Sequence, residues 1–328
     1  MDLHIKSLYS GGLITNYFCI SECKHCLYNS SPYWPKEYIT DKTTDRNLSI
    51  IKKLGVNTIH IGGGEPFLRI EKLKRVVKLV KSYNIHLEYI ETNSSWFKDL
   101  KSTCKILEEF YFIGLHTLLV SISPFHTEYI PFYKVQGVIR AAQEVGIDIF
   151  PWKQEFISDI LKLNPNTTHS LDEFKSIFGD RYLSYVELNY WIIPGGRAID
   201  TFKPFHKLMD IEELLESNRQ KCYELGNVSH FHVDLYENYI PGLCAGLAIR
   251  VEDLGKPIDP KKYPIISVLY DKGINGLYDL AKTYSFKPKK HGYWTKCELC
   301  NEIRFFLFNK DLDFLELAPS GYYKYGIV

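Results

Sequence analysis

Thr58-Ile59-His60-Ile61-Gly62-Gly63-Gly64-Glu65-Pro66-Phe67 changes character halfway along. The β-rich run Thr58–Gly62 reads as a strand, and Gly63, Gly64 and Pro66 after it break regular structure. Over Leu73–Tyr83 an apolar stripe of Val76, Val77, Leu79 and Val80 alternates with Lys74, Arg75, Lys78 and Lys81, the pattern of an amphipathic helix. Strand, glycine turn and helix make one unit, and the unit recurs on both sides. Further strands are predicted at Leu13–Phe18, His86–Glu91, Thr117–Ser123, Ile147–Pro151 and Tyr185–Tyr190. Helices are predicted at Asp45–Leu54, Asp99–Phe110, Val135–Val145 and Leu171–Phe178. Repeated alternation of this kind implies a parallel sheet covered by helices. Six units fall short of a closed eight-fold barrel, so the predicted fold class is α/β, a partial (β/α)6 TIM-type barrel.

The pattern changes after Pro194-Gly195-Gly196-Arg197-Ala198. A helix at Asp210–Arg219, a hairpin over His230–Ile240 turning at Tyr236-Glu237-Asn238, and helices near Ile274–Thr283 and Glu298–Phe308 predict a smaller α+β domain. The boundary is placed near residue 200, giving domains 1–200 and 201–328. Length fits two domains: 328 residues, of which 45% are hydrophobic and 24% charged, as in globular chains. Lys+Arg minus Asp+Glu is 40 − 39 = +1, which gives no global attraction to nucleic acid or an anionic membrane. No apolar run approaches the roughly 20 residues of a membrane span. Met1-Asp2-Leu3-His4-Ile5-Lys6 lacks the form of a secretory signal, so a cytoplasmic location is expected.

Eight cysteines are present, and seven of them fall into two sets. Cys19, Cys23 and Cys26 form a C-x3-C-x2-C run just after the first predicted strand. Cys222, Cys244, Cys297 and Cys300 lie in the last third. Clustering in a reducing compartment points to metal ligation rather than disulfides. A structural zinc site normally takes four protein ligands, whereas three thiolates can hold a 4Fe–4S cubane and leave one iron open. Gly62–Gly64 is not a phosphate loop, because no Gly-Lys-Ser/Thr follows. Four thiolates complete either a closed 4Fe–4S cluster or an all-cysteine zinc site, and free thiols are the remaining alternative.

Together, the C-x3-C-x2-C run and Gly63-Gly64-Glu65-Pro66 after the second strand resemble the radical S-adenosylmethionine (SAM) superfamily. That resemblance covers about residues 10–200. It implies that Cys19, Cys23 and Cys26 hold a 4Fe–4S cluster whose open iron chelates SAM. It also implies reductive cleavage of SAM to a 5′-deoxyadenosyl radical, and an external one-electron reductant of flavodoxin or ferredoxin type. Gly63, Gly64 and Glu65, with Thr92, Asn93, Ser121 and Ser123 at the ends of the third and fourth strands, are the expected SAM contacts. The segment around Cys244 is similar to SPASM or twitch extensions. Four cysteines rather than the usual seven imply a C-terminal iron–sulfur domain with one auxiliary cluster. Modification of a peptide or protein is the leading expectation, ahead of a small metabolite and of a non-catalytic zinc-binding interaction protein.

Other residues carry two readings each. Arg197, in a Gly-Arg-Ala element like that of SPASM-type enzymes, pairs with a carboxylate of SAM or substrate, or is a loop-surface arginine. His25, inside the cysteine loop, is expected to pack beside the adenine rather than to ligate iron. His126 is a candidate acid or base, or a turn-packing residue. Cys104 is a buried helical thiol or a hydrogen-atom donor. Trp152 and Phe156 line the cavity or the core. No cobalamin-binding module and no preceding peptide-recognition domain is expected.

Overall fold

The computed structural model describes residues 3–310 and 312–326; Met1 and Asp2, at the head of the stretch read for targeting, lie outside them. Among the described residues, eight strands form one sheet: β1 Ser10–Ile14, β2 Thr58–Gly62, β3 His86–Thr92, β4 Thr117–Ser121, β5 Asp148–Trp152, β6 His230–Asp234, β7 Asn238–Ile240 and β8 Ile249–Arg250. Their order is β5-β4-β3-β2-β1-β6-β7-β8. The first six strands pair in parallel, and β7 and β8 return antiparallel. The sheet does not close, so the architecture is an open, partial barrel.

The helices are α1 Asp41–Lys53, α2 Ile70–Ser82, α3 Leu100–Ile113, α4 Pro124–Thr127, α5 Phe132–Val145, α6 Ile157–Ile160, α7 Leu171–Phe178, α8 Tyr182–Tyr190, α9 Ala198–Phe202, α10 Ile211–Ser217, α11 Pro264–Thr283, α12 Lys296–Phe308 and α13 Ser320–Lys324. Local chemistry sets their ends. Asp99 accepts from the Ser102 N–H to start α3, and Gly114 closes it in the left-handed region at φ 114°. Ile59 and Ile61 of β2 join Val76, Val77 and Val80 of α2 in the hydrophobic core. Strand alternation then puts His60 and Gly62 on the opposite, concave face.

Two predicted elements are corrected. The predicted first strand, Leu13–Phe18, begins earlier, at Ser10. Gly11 and Gly12 look like turn residues, yet the strand needs them: a Cβ on Gly11 would lie 2.7 Å from the Phe231 ring, and one on Gly12 would collide with His60 and His232. The predicted sixth strand, Tyr185–Tyr190, is helix α8. Its alternating Tyr-Val-Glu-Leu-Asn-Tyr resembles a strand, but Tyr182, Val186 and Tyr190 are the buried set, at helical spacing, while Leu188 is 85% exposed. The sixth parallel strand is instead β6, the first arm of the predicted hairpin, and it docks beside β1.

Candidate active site

Burial and hydrogen bonding shape the three-cysteine loop. Cys19 and Cys23 are buried and Cys26 partly so. The Cys19 sulfur accepts from the Ser21 N–H and the Asn93 Nδ2, both at 3.4 Å. Such donors stabilise sulfur in its thiolate form. Without a metal, burial pushes the Cys19 thiol up to about 12 and drives Cys23 upward as well, with mutual repulsion from Cys26. The loop therefore concentrates thiols that only a cation would keep ionised.

Glycines bring the β2 turn against this loop. Gly63 has φ 152°, and a Cβ there would lie 2.6 Å from the Asn16 carbonyl oxygen; one on Gly64 would collide with the Phe18 carbonyl. The Gly64 N–H donates to that Asn16 oxygen at 2.7 Å. Glu65 is fully buried and acts as a strut. Its carboxyl oxygens accept from the Phe67 N–H, the Thr92 hydroxyl and the Asn93 N–H at 3.1, 3.0 and 2.7 Å. Desolvation raises it to about 7, against the pull of those three donors.

A cavity of about 310 Å³ opens on the concave face, at the small end of the roughly 300–1,000 Å³ typical of small-molecule sites. Cys19, Cys23, Cys26, His25, Gly63, Gly64, Thr92, Asn93, Ser121 and His126 all line it, as does Trp152. Strand ends, cysteine loop and glycine turn thus meet where the sequence placed them. His25 stacks on Phe125 at 4.4 Å and shares a 3.0 Å hydrogen bond with the Tyr190 hydroxyl. His126 lies 2.7 Å from the Ser123 hydroxyl and is lowered to about 4 by burial, so it is neutral at physiological pH.

Five predicted residues are not brought into the cavity lining. Glu65 is the strut already described, and Ser123 holds His126 and caps α4. Arg197 donates to the carbonyl oxygens of Cys23 at 3.0 Å and Ser30 at 2.6 Å, clamping the cysteine loop from behind. Its neighbour Gly196 nests against the same loop, where a Cβ would lie 2.5 Å from the Leu27 carbonyl oxygen. Cys104, half-buried on α3, has its thiol 3.5 Å from Glu144 of α5, within the helical layer and outside the cavity lining. Phe156 is fully buried and belongs to the core.

Cys222, Cys244, Cys297 and Cys300 converge on a second cavity, of about 80 Å³. Burial is the largest influence on Cys244, and repulsion from each of the other three sulfurs raises its pKa further. Arg304 from α12 lines the same cavity and anchors to the Ala245 carbonyl at 2.8 Å. Leu27, Ile193 and Leu243 line both cavities and form the partition between them.

Sequence reading passed over Tyr28, Tyr89, Tyr190, His230 and His232, which also line the first cavity, and His60 beside it. The signal was present in alternation. His60 interrupts Ile59 and Ile61, and His230 and His232 flank Phe231, so each polar residue falls on the face opposite a core residue.

Residues 13–158 match the profile of the radical SAM superfamily. YydG of Bacillus subtilis (strain 168), named as a peptide biosynthesis protein, is 23% identical over 202 residues, 60% of this chain and 59% of YydG. A protein of Thermococcus kodakarensis named as a GTP 3′,8-cyclase is 27% identical over 202 residues, 60% of this chain and 62% of that protein. The match thus spans about three fifths of the length of these curated relatives. Among solved structures, anSMEcpe with bound AdoMet is 14% identical with a TM-score of 0.46, covering 97% of this chain and 98% of that one. The profile match places a radical SAM region at residues 13–158, a little under half of the chain. Among the described residues, no helix is long and apolar enough to cross a membrane.

Proposed function

We propose that this protein is a radical SAM enzyme whose Cys19, Cys23 and Cys26 hold a 4Fe–4S cluster and whose first cavity binds SAM and substrate together. The observation that carries the reading is convergence: three cysteines, the glycine turn and the ends of β3 and β4 all line one cavity. The donor set fits the group, since two N–H donors already point at the Cys19 sulfur. When bound, the cluster supplies the electron that splits SAM into methionine and a 5′-deoxyadenosyl radical.

This chain's residues bind and orient. Gly63 and Gly64 let backbone carbonyls approach the methionine ammonium, and Asn93, Thr92 and Ser121 offer polar contacts. Glu65 fixes the glycine turn to β3. Arg197 fixes the cysteine loop, and Ser123 fixes His126. Trp152 and Tyr190 wall the cavity, where excluding water keeps a reactive carbon on its intended hydrogen.

Residues 201–328 form, in this reading, the auxiliary domain, with Cys222, Cys244, Cys297 and Cys300 holding a second 4Fe–4S cluster. Their shared cavity and the cationic Arg304 beside it support that assignment. The substrate we favour is a peptide or protein, a class suggested by the name of YydG; crosslinking, epimerisation and oxidation all fit. A small-molecule substrate is the second reading, favoured by the modest cavity volume and by the name of the cyclase relatives. An external one-electron reductant and a cytoplasmic location complete the proposal.

The test is anaerobic reconstitution, then incubation with dithionite, SAM and the peptide encoded by an adjacent open reading frame, followed by mass spectrometry. Peptide-dependent 5′-deoxyadenosine with a mass change in the peptide supports the leading reading. Turnover only with metabolites favours the second. Zinc without acid-labile sulfide would overturn both. Cys19→Ala is expected to abolish SAM cleavage, whereas Cys297→Ala keeps uncoupled cleavage and loses product.

A further inference from the structure

Three histidines, one on β2 and two on β6, meet on the concave face of the sheet. Parallel register aligns Gly12 of β1 with His60 of β2 on one side and with His232 of β6 on the other. All three residues therefore face the concave side in one row, and His230, two residues before His232 on β6, shares that face. The donor nitrogens of His60, His230 and His232 lie within 4.8 Å of one another, and the Nε2 atoms of His60 and His232 are 3.3 Å apart. Glu91 of β3 brings a carboxylate oxygen to 3.8 Å from His60 Nε2.

Space for this cluster is built in. A Cβ on Gly12 would strike both His60 and His232, and one on Gly62 would sit 2.7 Å from the Glu91 carboxylate. Two glycines in central strands weaken a sheet, and here both omit the atom that would displace a donor. The remaining nitrogens are arranged differently. His232 Nδ1 is 2.8 Å from the Tyr28 hydroxyl, an outer partner that fixes the ring and leaves Nε2 to point inward. His60 is almost wholly buried, and its Nδ1 has no partner. Burial disfavours the imidazolium form in all three rings, so lone pairs are available. Apolar side chains would fill a simple core at lower desolvation cost.

We propose that His60, His230 and His232 form a divalent metal site of zinc type, with Glu91 as the fourth donor on the cavity side. Imidazole nitrogens with one carboxylate suit zinc, and an ion without accessible redox states tolerates a strongly reducing neighbour. The 3.3 Å spacing also matches the edge of a tetrahedron around an ion with bonds of about 2.0–2.1 Å to nitrogen. If the first cavity is the substrate site proposed above, a substrate carbonyl or carboxylate exchanges with Glu91 and is anchored on the cavity floor.

The test uses anaerobic full-length protein with its cysteines loaded with iron and sulfide, titrated with Co2+ and then with Zn2+ in competition. About one equivalent of Co2+ is expected to give visible d–d absorption without thiolate charge-transfer bands, and to be displaced by Zn2+. His60→Gln and His232→Gln are expected to abolish the signal. Tyr28→Phe, which keeps the shape of the side chain, is expected to weaken binding about 10-fold or more. No cobalt spectrum in the wild type, thiolate bands, or equal uptake by the variants would each overturn the site, leaving a His60–His232 hydrogen bond. Because the readout is metal binding, its failure is separable from failure of SAM cleavage.

Discussion

At Gly64 one added carbon has no room. Its Cβ would collide with the Phe18 carbonyl, which is backbone and cannot rotate away. Gly64→Ala is expected to lower stability by about 2–4 kcal/mol and to weaken SAM binding, read by thermal unfolding and by anaerobic equilibrium dialysis. Arg197 gives a second test at this scale. Its two hydrogen bonds end on the carbonyls of Cys23 and Ser30, not on a ligand, so its loss should loosen the loop. Arg197→Met keeps much of the side-chain volume and is expected to retain less iron and sulfide than the wild type, while Arg197→Lys retains an intermediate amount. Equal metal content in all three proteins would refute the clamp.

Between elements, buried carboxyls join what hydrophobic packing alone would leave loose. Asp234 ends β6, is fully buried, and accepts from the Tyr17 hydroxyl, the Tyr236 N–H and the Asn238 N–H at 2.9, 2.8 and 3.0 Å. It ties the β6–β7 turn to the segment leading into the cysteine loop. Asp234→Ala strands these donors and is expected to cost about 2–4 kcal/mol in chemical denaturation. Glu316 caps the start of α11 by accepting from the Ile265 N–H at 2.7 Å, while its other oxygen is buried without a partner. Burial raises its pKa from the ordinary 4.5 to about 7. A carboxyl with a raised folded-state pKa contributes stability that is complete below about 4.5 and lost as pH rises through about 7. Glu316→Gln is therefore expected to match the wild type near pH 5 and to exceed its stability near pH 8 by about 1–3 kcal/mol, measured by denaturant titration at both pH values. At this scale the sequence was partly legible. Helix α2 stood out because its apolar stripe repeats at helical spacing. Helix α8 was misread because Val186, Leu188 and Tyr190 alternate locally like a strand, and only the longer Tyr182–Val186–Tyr190 spacing reveals the buried face. The three cysteines and the glycine turn were legible because their chemistry is local. The histidine cluster was not, because its members lie 172 residues apart, on β2 and β6, and meet only through sheet register.

Across the whole molecule, the two halves of the chain share one sheet. β6, from the last third, pairs with β1 along five consecutive residues, and β7 and β8 extend the sheet from it. The Gly195–Arg197 segment adds a second tie: the Gly196 N–H donates to the Tyr322 hydroxyl at 3.2 Å, and that hydroxyl donates to Asn301 on α12. A chain ended after residue 226 loses β6 and leaves β1 as an exposed edge. Such a truncation is expected to be insoluble or to lack a cooperative unfolding transition; a soluble, cooperatively unfolding product would show that the first five strands suffice. The strand order also bears on biogenesis. On the ribosome, Ser10–Ile14 must wait for more than two hundred further residues before its neighbour His230–Asp234 is synthesised. Until then the nascent chain presents a glycine-rich strand with unpaired amides, a target for trigger-factor-type chaperones and for self-association during slow translation.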